Sequence, residues 1–295
     1  MINTESLIKE LTQRNNDTLH NLLQNLEDNQ LHQALKYTCL TPGKRFRPLL
    51  VYATGLSFGA DEQLMDHPAA AIEMIHNYSL IHDDLPIMDD DDMRHGQPSC
   101  HKKFSEATAI LAGDALLAYA FEIVTTSDNN LSAQQQVGIT RELARACGPY
   151  GITLGQHLDM SPEDATSLSE VENIHYHKTA TLIQASMVIG ALCSSETALD
   201  QSTIEQLRLC GSKLGLAYQI QDDVLDLISS SEHLGKTANS DTQNHKHTYS
   251  IVAGIDKSTQ HAQQLYSQAL QCLDACGLKD SQLEQLVEYF SRREQ

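Results

Sequence analysis

The chain contains no tryptophan, and aromatic residues make up only 5% of its 295 positions. Its core must therefore be built from Leu, Ile, Ala and Val. Proline is scarce, with 7 residues, so little interrupts long helices. Positive charge is also short. There are 20 Lys and Arg against 39 Asp and Glu, a net charge of −19. That balance argues against a general nucleic-acid binder, which carries a basic surface, and against electrostatic docking to anionic lipid. The seven cysteines are odd in number and form no Cys-x-x-Cys pair. They read as reduced thiols of a cytosolic core, not as a disulfide framework or a zinc site. Cys272 and Cys276 are one helical turn apart and read as packing. No uninterrupted apolar run reaches the roughly eighteen residues that span a bilayer; the longest candidates are broken by Asp114 and Gln184. Met1 to Glu10 lacks a basic-then-apolar leader layout. A cytoplasmic protein without stable membrane association is expected.

What is present is helical. Leu7, Leu11, Leu19, Leu22, Leu23 and Leu26 recur at helical spacing, which predicts one or two amphipathic helices over 4–37. Further helices are predicted over 49–56, 69–81, 105–124, 132–146, 170–194, 203–227, 259–276 and 281–293. Strand-like alternation does not persist anywhere. Pro and Gly mark a turn at Thr41 to Pro48, and Ser161 to Ser169 is a polar connection that resembles a helix N-cap. The pattern gives a single all-α domain, residues 1–295, of about ten helices.

The chemistry concentrates between His76 and Gly96. Six aspartates fall within ten residues: Asp83, Asp84, Asp89, Asp90, Asp91 and Asp92. Most acidic runs are solvated loops, but this one closes an apolar helix. Mg2+ is a hard cation that bridges one or two carboxylates to phosphate oxygens. A second cluster, Asp222, Asp223 and Asp226, lies in an otherwise apolar helical pattern. Gln219, Asp222 and Asp226 share one helix face, and carboxylates there are costly to bury unless paired or metal-bound. Two such clusters suggest two facing walls holding several metal ions around one polyanion. Lys44, Arg45 and Arg47 form a basic turn, readable as a solvated turn or as a diphosphate grip. His76 lies two helical turns before Asp83 on nearly the same stripe and is a candidate ligand group. Arg94 and His95 follow the acidic block. Gly151 and Gly155, four apart, permit close helix contact and bring Gln156 and Asp159 to one side. Lys178 and Thr179 open a later helix, and Lys236 lies in a polar loop.

Taken in order, these motifs resemble the trans-isoprenyl diphosphate synthase family: Gly43-Lys44-Arg45-x-Arg47-Pro48, His76, Asp83-Asp84-x4-Asp89, Asp91-Asp92-x-Arg94, Gly155-Gln156-x2-Asp159, Lys178-Thr179, Gln219, Asp222-Asp223-x2-Asp226 and Gly235-Lys236. The match runs over nearly the whole chain and is most similar to the bacterial branch that forms farnesyl diphosphate. It implies an all-helical homodimer whose helices surround a deep apolar pocket. By that resemblance Asp83, Asp89 and Asp222 coordinate Mg2+, about three ions with Mn2+ as a substitute, to grip an allylic diphosphate. Asp84, Asp223 and Asp226 support that set. Arg94, Lys178 and Lys236 neutralise the leaving diphosphate. Lys44, Arg47 and His76 hold isopentenyl diphosphate. Thr179 and Gln219 lie beside the developing allylic cation. His95 stands where the family has a second arginine, at the isopentenyl diphosphate site. The segment from Lys236 to Asp241 also departs from the family pattern.

Product length rests on Tyr78, five residues before Asp83. Helix geometry turns it about 140° from the Asp83 stripe, so geometry alone makes it an ordinary core tyrosine. In the family, a bulky aromatic there, combined with the two-residue expansion of the first motif, accompanies a fifteen-carbon product. Farnesyl diphosphate is therefore the expected product, and geranylgeranyl diphosphate the alternative. A His-Asp phosphohydrolase, suggested by His82-Asp83, would need several metal-ligating histidines. A terpene cyclase would not need the Gly43 to Arg47 grip. A non-catalytic subunit of a heteromeric synthase would be expected to lose acidic residues that are intact here.

Overall fold

The computed structural model describes residues 4–160, 167–194, 199–229 and 248–292. They fall into two compact units, Met1–Ala144 with Ser186–Leu199, and Arg145–Ala185 with Asp200–Gln295. Both are helical. The described β-structure is one antiparallel hairpin of two-residue strands.

In the first unit the chain forms α1 (Thr4–Gln24), α2 (Gln30–Cys39), α3 (Phe46–Ser57) and α4 (Glu62–Asp83), then the hairpin β1 (Met93–Arg94) and β2 (Gln97–Pro98). Next come α5 (Cys100–Lys103), α6 (Glu106–Thr125) and most of α7 (Ala133–Cys147). The leucine periodicity of the N-terminal segment becomes a buried stripe on α1, Leu7, Leu11, Leu19 and Leu23. Polar side chains start the helices where the sequence supplies them. Asn29, Asp61 and Ser105 accept backbone N–H groups of the first turns of α2, α4 and α6, each such cap contributing about 1 kcal/mol.

Helix α4 is the element on which this unit's site is built. It is buried along most of its length and packs against α3 and α6. The approach to α6 is close because Gly113 leaves room for the His82 ring: a Cβ there would lie 2.1 Å from His82 Nε2. Helix α6 corrects one sequence expectation. At 20 residues it is long and apolar enough to cross a membrane by length and composition, despite Asp114. Asp114 and Glu122 do not outweigh its Ala, Leu and Ile content. Its Ala109, Ala112, Leu116, Ala120, Ile123 and Val124 are buried.

The second unit contains α8 (Ile152–Asp159), α9 (Leu168–His175), a π-helical segment (Tyr176–Ala180), the start of α10 (Thr181–Leu192), α11 (Gln201–Ser229), α12 (Tyr249–Ala253), α13 (Ile255–Ala275) and α14 (Gln282–Ser291). The helix predicted over 170–194 is thus three segments, its register widened by a π turn. Ser167 caps α9 in a reciprocal box with Glu170. The long α11 packs on α13 and on the π segment. Its Gly215 makes the second contact possible, since a Cβ there would sit 2.5 Å from Ala180 Cα.

Candidate active site

The acidic block begins at the C-terminus of α4. Asp83 is the last helical residue, and Asp84 caps the helix by donating its N–H to Leu80 O. The chain then turns back on itself: the N–H of Asp89 donates to the carbonyl of Asp83 at 2.9 Å. The two carboxylates that the sequence separates by six positions therefore belong to one closed turn. Asp84 is buried and receives Arg94 twice, from Nε at 2.9 Å and Nη2 at 2.5 Å. Arg94 also reaches Asp91 at 2.7 Å. Burial raises the Asp84 carboxyl above the usual carboxylate range, with Arg94 opposing it. Arg94, expected at the leaving diphosphate, braces the acidic turn in this structure.

The basic turn divides its three cations. Arg45 is the N-cap of α3, in the left-handed region at φ 48°. Its guanidinium is buried against Glu73 at 2.6 Å, Asn16 at 2.8 Å, and the carbonyls of Cys39 and Thr41. It is a buried structural ion pair. Lys44 is exposed and Arg47 half-buried, and Arg47 Nη1 lies 3.1 Å from His76 Nε2. Desolvation, then Arg47, then His95 and Arg94 hold the His76 imidazole well below its ordinary pKa. It is thus a neutral ring that accepts from Arg47. Those influences also show that Arg47, His76, His95 and Arg94 gather in one place. Arg94 and His95 line a cleft with Asn77, Ile81 and Asp84. His95 occupies the hairpin turn at φ 51°, followed by Gly96 at φ 77°. A cationic patch beside clustered carboxylates can bind one diphosphate directly and another through cations.

Tyr78 is buried on α4 and meets the His82 ring edge-on, with centroids 5.6 Å apart. His82 itself contacts Ile110 O at 3.1 Å, so the pair faces the α6 side of α4. His82 is thereby occupied in packing, which removes the feature that suggested a His-Asp phosphohydrolase.

In the second unit Lys178 and Thr179 lie in the π segment, a distortion common at functional sites. Of the two glycines foreseen as a close-contact pair, Gly155 makes the contact, while Gly151 lies against the local backbone of Ala146. A Cβ on Gly155 would meet Lys178 N at 2.1 Å, so α8 approaches the π segment closely. That places Asp159 Oδ2 2.6 Å from Lys178 Nζ. Thr179 Oγ1 donates to Gln219 Oε1 at 2.9 Å, and Gln219 Nε2 donates to Asp223 Oδ1 at 3.3 Å. Asp223 also accepts the Tyr249 N–H at 2.9 Å and lies 3.5 Å from His175 Nε2. Of the second acidic cluster, Asp223 is buried, Asp222 half-buried and Asp226 exposed. Asp223 therefore orients Gln219, while the other two carboxylates stay accessible. Lys236 lies outside the described residues.

Sequence reasoning missed the partners of these groups: Glu73 for Arg45, and His175 and Tyr249 for Asp223. The Tyr249 bond spans 26 residues, and no local spacing signals it. The carboxylates themselves are a donor set of hard oxygens, which fits Mg2+ better than a soft ion.

A model of the polyprenyl synthetase family matches residues 28–289. A farnesyl diphosphate synthase from Haemophilus influenzae is 46% identical over 264 residues, covering 89% of this chain and 88% of that protein. A chloroplastic geranylgeranyl pyrophosphate synthase from Catharanthus roseus is 43% identical over 242 residues, 81% of this chain and 67% of its own length. Among solved structures, the Helicobacter pylori geranyltransferase complexed with magnesium and isoprenyl diphosphate aligns with a TM-score of 0.81 at 32% identity, over 96% of each chain. The chain belongs to the polyprenyl synthetase family.

Proposed function

We propose that the protein is a Mg2+-dependent farnesyl diphosphate synthase. It condenses isopentenyl diphosphate with dimethylallyl and then geranyl diphosphate, releasing diphosphate at each step. The observation that carries the reading is the closed turn joining Asp83 to Asp89, flanked by the Arg47, His76, Arg94 and His95 patch. We take residues 1–295 as one catalytic domain around an apolar pocket.

Asp83, Asp89 and Asp222 would hold the Mg2+ ions, about three, with Mn2+ able to substitute, and Asp84, Asp223 and Asp226 support them. When bound, such ions supply Lewis-acid stabilisation of the departing diphosphate's charge. The chain's own groups then have separate tasks. Lys178 and Lys236, with Arg94 once released from Asp84 and Asp91, neutralise the leaving diphosphate. Lys44, Arg47, His76 and His95 hold isopentenyl diphosphate with its double bond toward the allylic carbon. Thr179 Oγ1 and Gln219, aligned by Asp223, present oxygen dipoles beside the developing allylic cation. Apolar walls exclude the water that would quench it. The proton lost after carbon–carbon bond formation goes to the released diphosphate, so no protein base is required.

The fifteen-carbon product is supported by Tyr78 and by similarity to a bacterial farnesyl diphosphate synthase. The plant relative favours geranylgeranyl diphosphate as the second reading. A homodimer is supported by large apolar side chains left exposed on α6 and α7 of the described structure, Ile110, Leu111 and Val137. The test is incubation with dimethylallyl and isopentenyl diphosphates, followed by chromatography of the dephosphorylated products. Farnesol is the expected product. Orthophosphate release, a cyclic hydrocarbon or no condensation would overturn the reading.

A further inference from the structure

Three side chains just beyond the catalytic turn are not used by the proposed reaction. Asp90 and Asp92 continue the acidic block, and His101 lies on the short α5. Ligand atoms from the three residues lie within 4.8 Å of one another. The two carboxylates are exposed, which alone would be unremarkable. His101 is different. It is 7% exposed, its Nδ1 lies 3.1 Å from Ser99 Oγ, and its Nε2 is buried with no hydrogen-bond partner. A buried imidazole nitrogen left unpaired costs about 1–3 kcal/mol. A ligand that accepts its lone pair removes that cost.

The surrounding structure sets this geometry. The Ser99 N–H donates to Asp92 O at 2.9 Å, which ties the end of the acidic block to the strand leading into α5. If Nδ1–H donates to the buried Ser99 hydroxyl, the lone pair is on Nε2, the tautomer that metal-ligating histidines adopt. Two carboxylate oxygens and one imidazole nitrogen form a borderline donor set. Such a set prefers a first-row transition ion, following the order in which Zn2+ and Co2+ exceed Mn2+, to a hard ion such as Mg2+. Lys102 Nζ lies 2.7 Å from Asp92 Oδ1, but that ion pair is largely exposed and such pairs are weak. The second oxygen of Asp92 stays available.

We propose that Asp90, Asp92 and His101 form a second divalent-metal site, selective for a transition ion of the Zn2+ or Co2+ class and separate from the carboxylates that serve diphosphate. An ion there would clip the acidic turn to α5. Water molecules would complete its coordination.

The experiment is titration of the metal-free full-length protein with Co2+ in excess Mg2+, followed by visible absorption and calorimetry without substrate. Wild type should bind one equivalent that Mg2+ does not displace. Asp83→Ala should retain it, so the outcome does not depend on the prenyl-transfer reading. His101→Gln should lose it, with affinity falling by at least about tenfold, the lower end for disturbing a metal site. Because His101 is buried and its variant could misfold, Asp90→Asn with Asp92→Asn supplies a surface-only test with the same expected loss. Lys102→Gln should tighten binding by removing a competing cation. Retention of the Mg2+-resistant equivalent in the Asp90/Asp92 variant, or its absence from folded wild type, would overturn the proposal.

Discussion

The N–H of Asp89 donates to the carbonyl of Asp83 at 2.9 Å, closing the chain after α4 into one turn. This bond gives the two-residue expansion of the first acidic motif a structural meaning. Four residues loop out between the supporting and final aspartates, yet the first and last return to one place. Arg94 braces the same turn through Asp84 and Asp91.

Removing Asp83 from that turn, or Asp222 from the second acidic cluster, should abolish most catalysis. Asp83→Ala and Asp222→Ala should each lower the rate by about two to three orders of magnitude or more, the cost of losing a group that stabilises transition-state charge. Circular dichroism should stay near wild type, because neither variant removes an apolar core side chain. Full turnover in excess chelator would refute the metal requirement.

Arg45 makes the opposite prediction. Its pair with Glu73 is almost fully buried, with side-chain exposures of 3% and 7%. Glu73→Ala should destabilise the fold by about 3–5 kcal/mol, the usual cost of stranding a buried charge. Replacing both with apolar residues of similar volume should cost much less. Denaturant unfolding of the single and double variants distinguishes this from a substrate-binding role, which would leave stability unchanged.

The helices were legible in the sequence, and much of the site was not. Leucine spacing located α1 and α2, and Ser105, Ser167 and Ser281 stand as caps where α6, α9 and α14 begin. Of the two spaced glycines, Gly155 makes the close contact that the spacing signalled. The π turn at Lys178 has no periodic signature, because it falls where the mixed, polar pattern of α9 gives way to the apolar run of α10. The hairpin at Met93 to Pro98 was invisible because two-residue strands carry no alternation. Helical spacing set Asp222 and Asp226 on one face with Gln219 and left Asp223 aside, whereas tertiary packing buries Asp223 and gives it the Gln219 amide. The fate of Arg45 likewise depended on Glu73, 28 residues away.

Gly155 supports the geometry of Lys178. A methyl group at Gly155 would stand 2.1 Å from the Lys178 nitrogen, and backbone has no rotamer with which to yield. Gly155→Ala should push α8 away from the π segment, cost about 1–3 kcal/mol as overpacking, and loosen the Lys178–Asp159 pair. The expected result is a fall in kcat larger than the fall in melting temperature would explain. Unchanged kinetics would mean that the π segment tolerates displacement and that Lys178 is not positioned by α8.

His95 should confer a pH response. It stands in the hairpin turn at φ 51°, a left-handed conformation that His adopts more readily than Arg, so His95→Arg carries a small backbone penalty beside its change of chemistry. His76 is held below its ordinary range by desolvation and by Arg47. It stays neutral between about pH 6 and 8, the interval around an unperturbed histidine. A titration in KM for isopentenyl diphosphate that is present in wild type and absent from His95→Arg therefore belongs to His95, an imidazole's charge being lost as pH rises. His95→Arg should lower KM and flatten its pH dependence. Coincident profiles for the two proteins would remove His95 from the substrate site.

On the proposed reading, product length turns on Tyr78. It is buried on α4, edge-on to His82 at 5.6 Å. It lies five residues before Asp83, roughly 7.5 Å along the axis at the helical rise. A growing prenyl chain whose diphosphate is held at Asp83 would extend along α4 in that direction. The tyrosine ring then acts as a floor, and elongation stops once the tail reaches it. Tyr78→Ala removes the ring and leaves space that an isoprene unit can fill. Truncating a buried aromatic also costs about 3–5 kcal/mol, so the variant should be assayed well below its melting temperature. The expected outcome is a shift from farnesyl toward geranylgeranyl diphosphate, read by chromatography of the dephosphorylated alcohols. Tyr78→Phe should keep the fifteen-carbon product, since it keeps the ring. An active Tyr78→Ala that still makes only the fifteen-carbon product would place the floor elsewhere, and a twenty-carbon wild-type product would favour the geranylgeranyl reading.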